Sequence, residues 1–225
     1  LGIVRILIER NLSFELDKLI QHVKEIIKIE NNAFEQVLNQ SEKFNNPNTF
    51  YSPTITQECN FLKDRLMGSL REQGYTAQEV DAVLSLNLQN LSDIPKRLAA
   101  VRAFTALPEA VSLAAANKRV GNILKKTADV ISAQVDVSLL QESAEQTLHQ
   151  ALVDMLPITD KAFAAGDYTA SLQTLAALKS PIDTFFDHVM VNAEDESLRK
   201  NRLALLAQLH QVMNRVADIS KLATT

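Results

Sequence analysis

The residues most able to do binding chemistry lie in one short stretch, Ala114-Ala115-Ala116-Asn117-Lys118-Arg119-Val120-Gly121-Asn122-Ile123-Leu124-Lys125-Lys126. At 100° per residue, Lys118, Asn122, Lys125 and Lys126 fall within one polar sector of a helix, with Arg119 at its edge. Leu113, Val120, Ile123 and Leu124 point largely elsewhere, toward a core. Lys and Arg pair with phosphates, and an asparagine amide offers the donor and acceptor that base edges require. Three alanines and Gly121 leave room for a nucleotide or a neighbouring helix to come close. The same pattern also suits an ordinary solvated helix face, so these residues alone leave both readings open.

Charge distribution favours the first reading. The 225-residue chain has a net charge of −4, yet between Lys96 and Lys126 it has seven basic residues (Lys96, Arg97, Arg102, Lys118, Arg119, Lys125, Lys126) and one acid, Glu109. A basic stretch inside an acidic chain is the footprint expected of a polyanion-binding face. Catalytic groupings are not evident. His22, His149, His188 and His210 are scattered, with no HExxH pair and no Cys-His zinc spacing. No glycine-rich phosphate loop occurs. The cluster Glu194-Asp195-Glu196 sits where a helix should begin and complements its dipole. No catalytic residue, metal site or cofactor site is therefore expected in this segment.

Helices must position the basic face. Glycine and proline are scarce, at 5 and 6 copies, and no segment shows convincing period-two alternation. Helices are expected near residues 3–9, 13–27 and 33–43, then from Thr56 to a stop at Gly74. Between them, Phe44-Asn45-Asn46-Pro47-Asn48-Thr49-Phe50-Tyr51-Ser52-Pro53 reads as a hinge-like loop over about 44–55. Thr76-Ala77-Gln78-Glu79 is a capping box opening the next helix. Further starts are expected at Ser92-Asp93-Ile94-Pro95, at Pro108, after Val135-Asp136, at Asp167, at Ser180-Pro181 and near Glu194. The last of these helices should run to Ile219, and Pro157 should kink or interrupt its long predecessor. The fold class is all-α, one or more helical bundles. Two domains are expected, 1–92 as a helical body or linker and 93–225 as a helical bundle.

No apolar run approaches the roughly 20 residues of a membrane span. The single Cys59 cannot form an internal disulfide, which fits a reducing, cytoplasmic setting. It sits among helix formers and suits a packed thiol. The opening Leu1-Gly2-Ile3-Val4, interrupted by Arg5, is neither an initiator methionine nor a signal peptide and predicts a segment of a longer protein.

Five blocks in order resemble the beta chain of bacterial two-subunit glycyl-tRNA synthetases. They are Leu107-Pro108-Glu109-Ala110 with Ala115 to Val120 and Asn122 to Lys126; Phe163-Ala164-Ala165-Gly166-Asp167-Tyr168; Pro181 to Val191; Asn201-Arg202-Leu203-Ala204-Leu205-Leu206; and Val216-Ala217-Asp218-Ile219-Ser220. The opening Leu1 to Leu7 is similar to the stretch after the HD-like domain of that family. This resemblance implies that 93–225 is an anticodon-binding bundle similar to that of arginyl-tRNA synthetase. It also implies a glycine-specific tRNA partner, an alpha subunit in a heterotetramer, and ATP and magnesium used by the whole enzyme outside this piece. On that reading Lys118, Arg119, Asn122, Lys125 and Lys126 become anticodon-arm candidates. Arg199, Asn201 and Arg202, at the start of the final helix, rank second. Tyr168 could stack on a base, though its position after Gly166 better suits a packed ring. The competing expectation is a helical scaffold that docks other domains or the alpha subunit.

Overall fold

The computed structural model describes residues 64, 66–86, 91–127 and 134–223. The helices expected at 3–9, 13–27 and 33–43, the hinge-like loop, His22 and Cys59 lie outside the described residues. The chain divides into two compact units, one of residues 1–75 and 87–94, the other of Thr76–Leu86 and Pro95–Thr225. In the first, residues 66–72 are helical and end at Gly74, whose φ of +86° only glycine adopts without strain.

The second unit begins with α1, Ala77–Leu84, closed by the expected capping box. The Glu79 amide donates to Thr76 Oγ1 at 3.1 Å, and the Thr76 amide donates to Glu79 Oε2 at 2.7 Å. A division at 92/93, expected from the sequence, groups α1 with the preceding residues. It packs instead with the helices that follow, burying Val80, Ala82 and Val83, and the Asp218 amide donates to the Ala82 carbonyl at 2.8 Å. Five helices come next in the bundle: α2 (Ile94–Thr105), α3 (Ala110–Lys126), α4 (Ser143–Ala164), the short α5 (Tyr168–Gln173) and α6 (Lys179–His188). The last is α7 (Glu196–Met213). No strand occurs among the described residues.

Two boundaries differ from expectation. The helix expected straight after Asp136 is a separate 3-10 turn, Val137–Leu139, and α4 starts only at Ser143. Asp136 caps that turn by accepting from the Ser138 amide, so the chain bends before α4. The final helix stops at Met213 rather than Ile219, and Ile219–Leu222 forms its own 3-10 turn packed against α1 and α3. Pro157 lies inside α4, which continues past it to Ala164. Gly166, at φ +72°, then reverses the chain, and Asp167 caps α5 through the Ala170 amide.

The core is a set of helical stripes. Leu148, Leu152, Met155 and Thr159 line the inner side of α4, and Leu205, Leu209 and Met213 that of α7. Each fully buried leucine contributes about 1.5–3 kcal/mol of transfer free energy. No single helix among the described residues is long and apolar enough to cross a membrane.

Candidate nucleic-acid interface

On α3, Ala110, Leu113, Ala114, Asn117 and Val120 are buried while Lys118, Arg119, Asn122, Lys125 and Lys126 are exposed. The 3.6-residue period therefore does what the sequence pattern required, with the polar sector outward. Val111, 66% exposed, and Ala115 continue the same stripe toward the N-terminus. The face thus has a small apolar half and a basic half. A helix C-terminus carries roughly half a negative charge, which Lys125 and Lys126 more than offset.

Arg119 has a defined partner. Its guanidinium lies over the Phe186 ring of α6 at 3.9 Å from the centroid, a cation–π contact between the two helices. The α3–α7 register is antiparallel, because Asn117 meets Asn214 and Gly121 faces His210. A Cβ at Gly121 would lie 3.4 Å from His210 Nε2, so it is a helix, not a nucleotide, that approaches here. Burial lowers the His210 pKa, and Lys125 adds to that, with Asp218 opposing; the imidazole adds no cation to the face near neutrality.

The structure redistributes the rest of the basic stretch. Arg97 is buried, its Nη1 donating to the carbonyls of Arg215 and Val216 at 3.1 and 2.7 Å, and it stacks over Tyr168 at 4.6 Å. Arg102 holds Glu79 through Nε and Nη2 at 3.2 and 3.3 Å. Lys96 is exposed. The sequence excess of positive charge thus contracts to Lys96 and the α3 residues.

The second-ranked candidates separate. Arg199 is half-buried in the first turn of α7. By the α3–α7 register it lies roughly 10 Å beyond the level of Lys126 along the helix axis. Asn201 and Arg202 do not join the face, which corrects the expectation that they meet RNA. Asn201 is 5% exposed and exchanges two hydrogen bonds with the Asp136 backbone, at 2.8 and 2.9 Å. Arg202 is 6% exposed; its Nε meets the fully buried Glu145 at 2.6 Å and its Nη1 the Met190 carbonyl at 2.8 Å. Desolvation and internal partners close both side chains to an incoming ligand. Tyr168 is also a packed ring, 7% exposed and 5.3 Å from Phe163. Phe186, which the sequence pattern did not single out, is the added member of the site.

No group of three or more His, Cys, Asp or Glu among the described residues could hold a metal ion. An array of exposed cations around one asparagine amide can bind a polyanion; it offers no nucleophile or acid–base pair for bond breaking.

Residues 113–223, which include most of α3 and the rest of the bundle after it, match the family model described as DALR anticodon binding domain. Almost from end to end, the chain is similar to a segment of glycine–tRNA ligase beta subunits. It is 55% identical over 223 residues to that subunit of Dechloromonas aromatica (strain RCB), covering 99% of this chain and 29% of the relative. The Methylobacillus flagellatus subunit is 55% identical over 224 residues, and that of Delftia acidovorans 53% over 223, each again covering 99% of this chain and 29% of the relative. The chain therefore spans about three tenths of the length of these relatives.

Proposed function

We propose that the exposed face of α3 binds the anticodon arm of a glycine-accepting tRNA, as the RNA-recognition part of a glycine–tRNA ligase beta chain. The observation that carries this reading is the outward array of Lys118, Arg119, Asn122, Lys125 and Lys126 within the segment matching an anticodon-binding domain. Lysines and the arginine neutralise phosphates, and the Asn122 amide can read a base edge. Arg199 is an outlying contact in this reading. ATP-dependent attachment of glycine, with magnesium, is assigned to other parts of the enzyme and to an alpha subunit in a cytoplasmic heterotetramer.

A second reading, a docking surface for another part of the assembly, draws on Val111, whose side chain is exposed on the same stripe. Fluorescence anisotropy with a labelled anticodon stem-loop separates the two. Lys118→Glu with Lys125→Glu is expected to weaken binding by at least about tenfold. The slope of log affinity against log salt should fall by about 0.7–0.9 for each phosphate that is no longer neutralised. Unchanged affinity and slope in a variant with native helicity would exclude α3 as the RNA face and favour docking.

A further inference from the structure

Arg119 differs from the lysines around it in being held. Its guanidinium is stacked at 3.9 Å on Phe186, and Phe186 is in turn met edge-on by Phe185, with centroids 5.5 Å apart and rings at 79°. Phe185 is fully buried, so the stack runs from the core of α6 outward to the surface of α3. Arg119 itself is exposed and makes no hydrogen bond or ion pair among the described residues. The cation is therefore seated on a ring of the protein while its side chain as a whole stays exposed.

We propose that this stack is a nucleobase platform: an unpaired base of the bound RNA lies on the outward face of the Arg119 guanidinium, and Phe186 is the residue that positions it. The inference rests on the reading of α3 as the RNA face and deepens it. A flexible cation in water gives up side-chain freedom when it stacks on a base, whereas a guanidinium already seated on a ring has lost most of it. RNA loops are commonly read through unstacked bases laid on aromatic rings or arginine planes. A lysine at this position would keep the charge and lose the plane. Phosphate pairing by the N–H edge remains compatible with the same stack but would not depend on the base.

The test uses the protein in its full cellular assembly and an anticodon stem-loop of glycine tRNA, with each loop nucleotide made abasic in turn. At one loop position, loss of the base is expected to weaken binding to the native protein by about tenfold. Against Arg119→Lys or Phe186→Leu, the same abasic RNA should bind within about twofold of the intact loop, since the platform is already gone. Phe186→Tyr should restore the native sensitivity, which separates the positioning role from a general loss of packing. The inference is overturned if no abasic position shows this coupling, or if Phe186→Leu binds the intact loop as tightly as the native protein. Loss of binding in the Lys118→Glu, Lys125→Glu variant, alongside absent coupling, would retain the RNA face and remove only the platform.

Discussion

The side-chain amides of Asn117 and Asn214 form a reciprocal pair, Nδ2 of Asn117 donating to Oδ1 of Asn214 at 2.7 Å and the return bond measuring 3.1 Å. Asn214 also donates to the His210 carbonyl at 2.8 Å, so the pair ties α3 to the C-terminal end of α7. Asn117 is wholly buried. Replacing it by leucine removes the donor to Asn214 Oδ1 at this half-buried seam and leaves Asn214 only its bond to His210, at a cost of about 1–3 kcal/mol. The melting midpoint is expected to fall by roughly 2–4 °C per kcal/mol lost. Stem-loop affinity of the folded fraction should stay native; a selective loss of affinity with an unchanged melt would place Asn117 in the RNA site instead.

Arg202→Met should be among the most damaging single changes in α7. It strips the buried Glu145 carboxylate of its guanidinium and the Met190 carbonyl of its donor. Breaking one side of a buried pair costs about 3–5 kcal/mol. Adding Glu145→Gln removes the stranded charge and keeps an acceptor for the Glu142 amide, so urea unfolding of the double variant should recover part of the loss. Equal instability of the single and double variants would show that the ion pair is not what Arg202 supplies.

Arg102 tests whether the basic stretch acts as a whole. Burial tends to raise the Glu79 carboxyl, but bonds from Arg102 and Thr76 outweigh it and hold the net value below 4.5. A carboxylate depressed in the fold contributes stability that is present above its unfolded value and lost as pH falls through its folded value. Arg102→Gln should therefore shift acid unfolding to higher pH, with a neutral-pH cost of at most about 1 kcal/mol because Arg102 is half exposed. RNA affinity should stay within about twofold of native, since this cation already has its anion. A tenfold loss would return Arg102 to the binding face.

His210 gives the fold a second pH response. Its folded pKa lies below 6.5 because burial outweighs the opposing pull of the Asp218 carboxylate, with a smaller lowering from Lys125. For a base depressed in the fold, the unfolded chain binds the proton more readily, so stability is full above 6.5 and declines as pH falls toward the folded value. Urea midpoints measured from about pH 7.5 down to about 5.5 should drop more steeply for the native chain than for His210→Gln. Parallel profiles would mean that His210 is not coupled to folding.

Much of this fold could be read from local signals. The Thr76–Glu79 box, the Gly74 and Gly166 stops and the Asp167 cap each act within a few residues, where chemistry and sequence distance coincide. The outward sector of α3 followed from the helical period. Harder to see were polar residues that occupy apolar positions. Arg202 stands four residues after Leu198 and three before Leu205; Arg97 stands three after Ile94 and four before Val101; Asn117 stands four after Leu113 and three before Val120. Each lies on its helix's inner stripe, so the period held a signal against counting it as surface. Glu145 and the backbone acceptors that justify such burial lie on other elements, from 12 to 119 residues away, beyond the reach of a one-helix pattern. The Arg119–Phe186 stack joins two elements 67 positions apart in the same way.

Three of the buried polar side chains grip main chain: Asn201 holds residue 136, Arg202, besides its ion pair with Glu145, holds the carbonyl of 190, and Arg97 holds those of 215 and 216. A peptide group is the same whatever side chain it bears. Substitutions at 136, 190 or 215 can therefore accumulate over evolutionary time without releasing these grips, whereas the gripping residues themselves are bound to their identity. Connecting segments in this bundle are free to drift in sequence while staying anchored in place, and a change in their length, which moves the peptide out of reach, is the change the bundle should tolerate least.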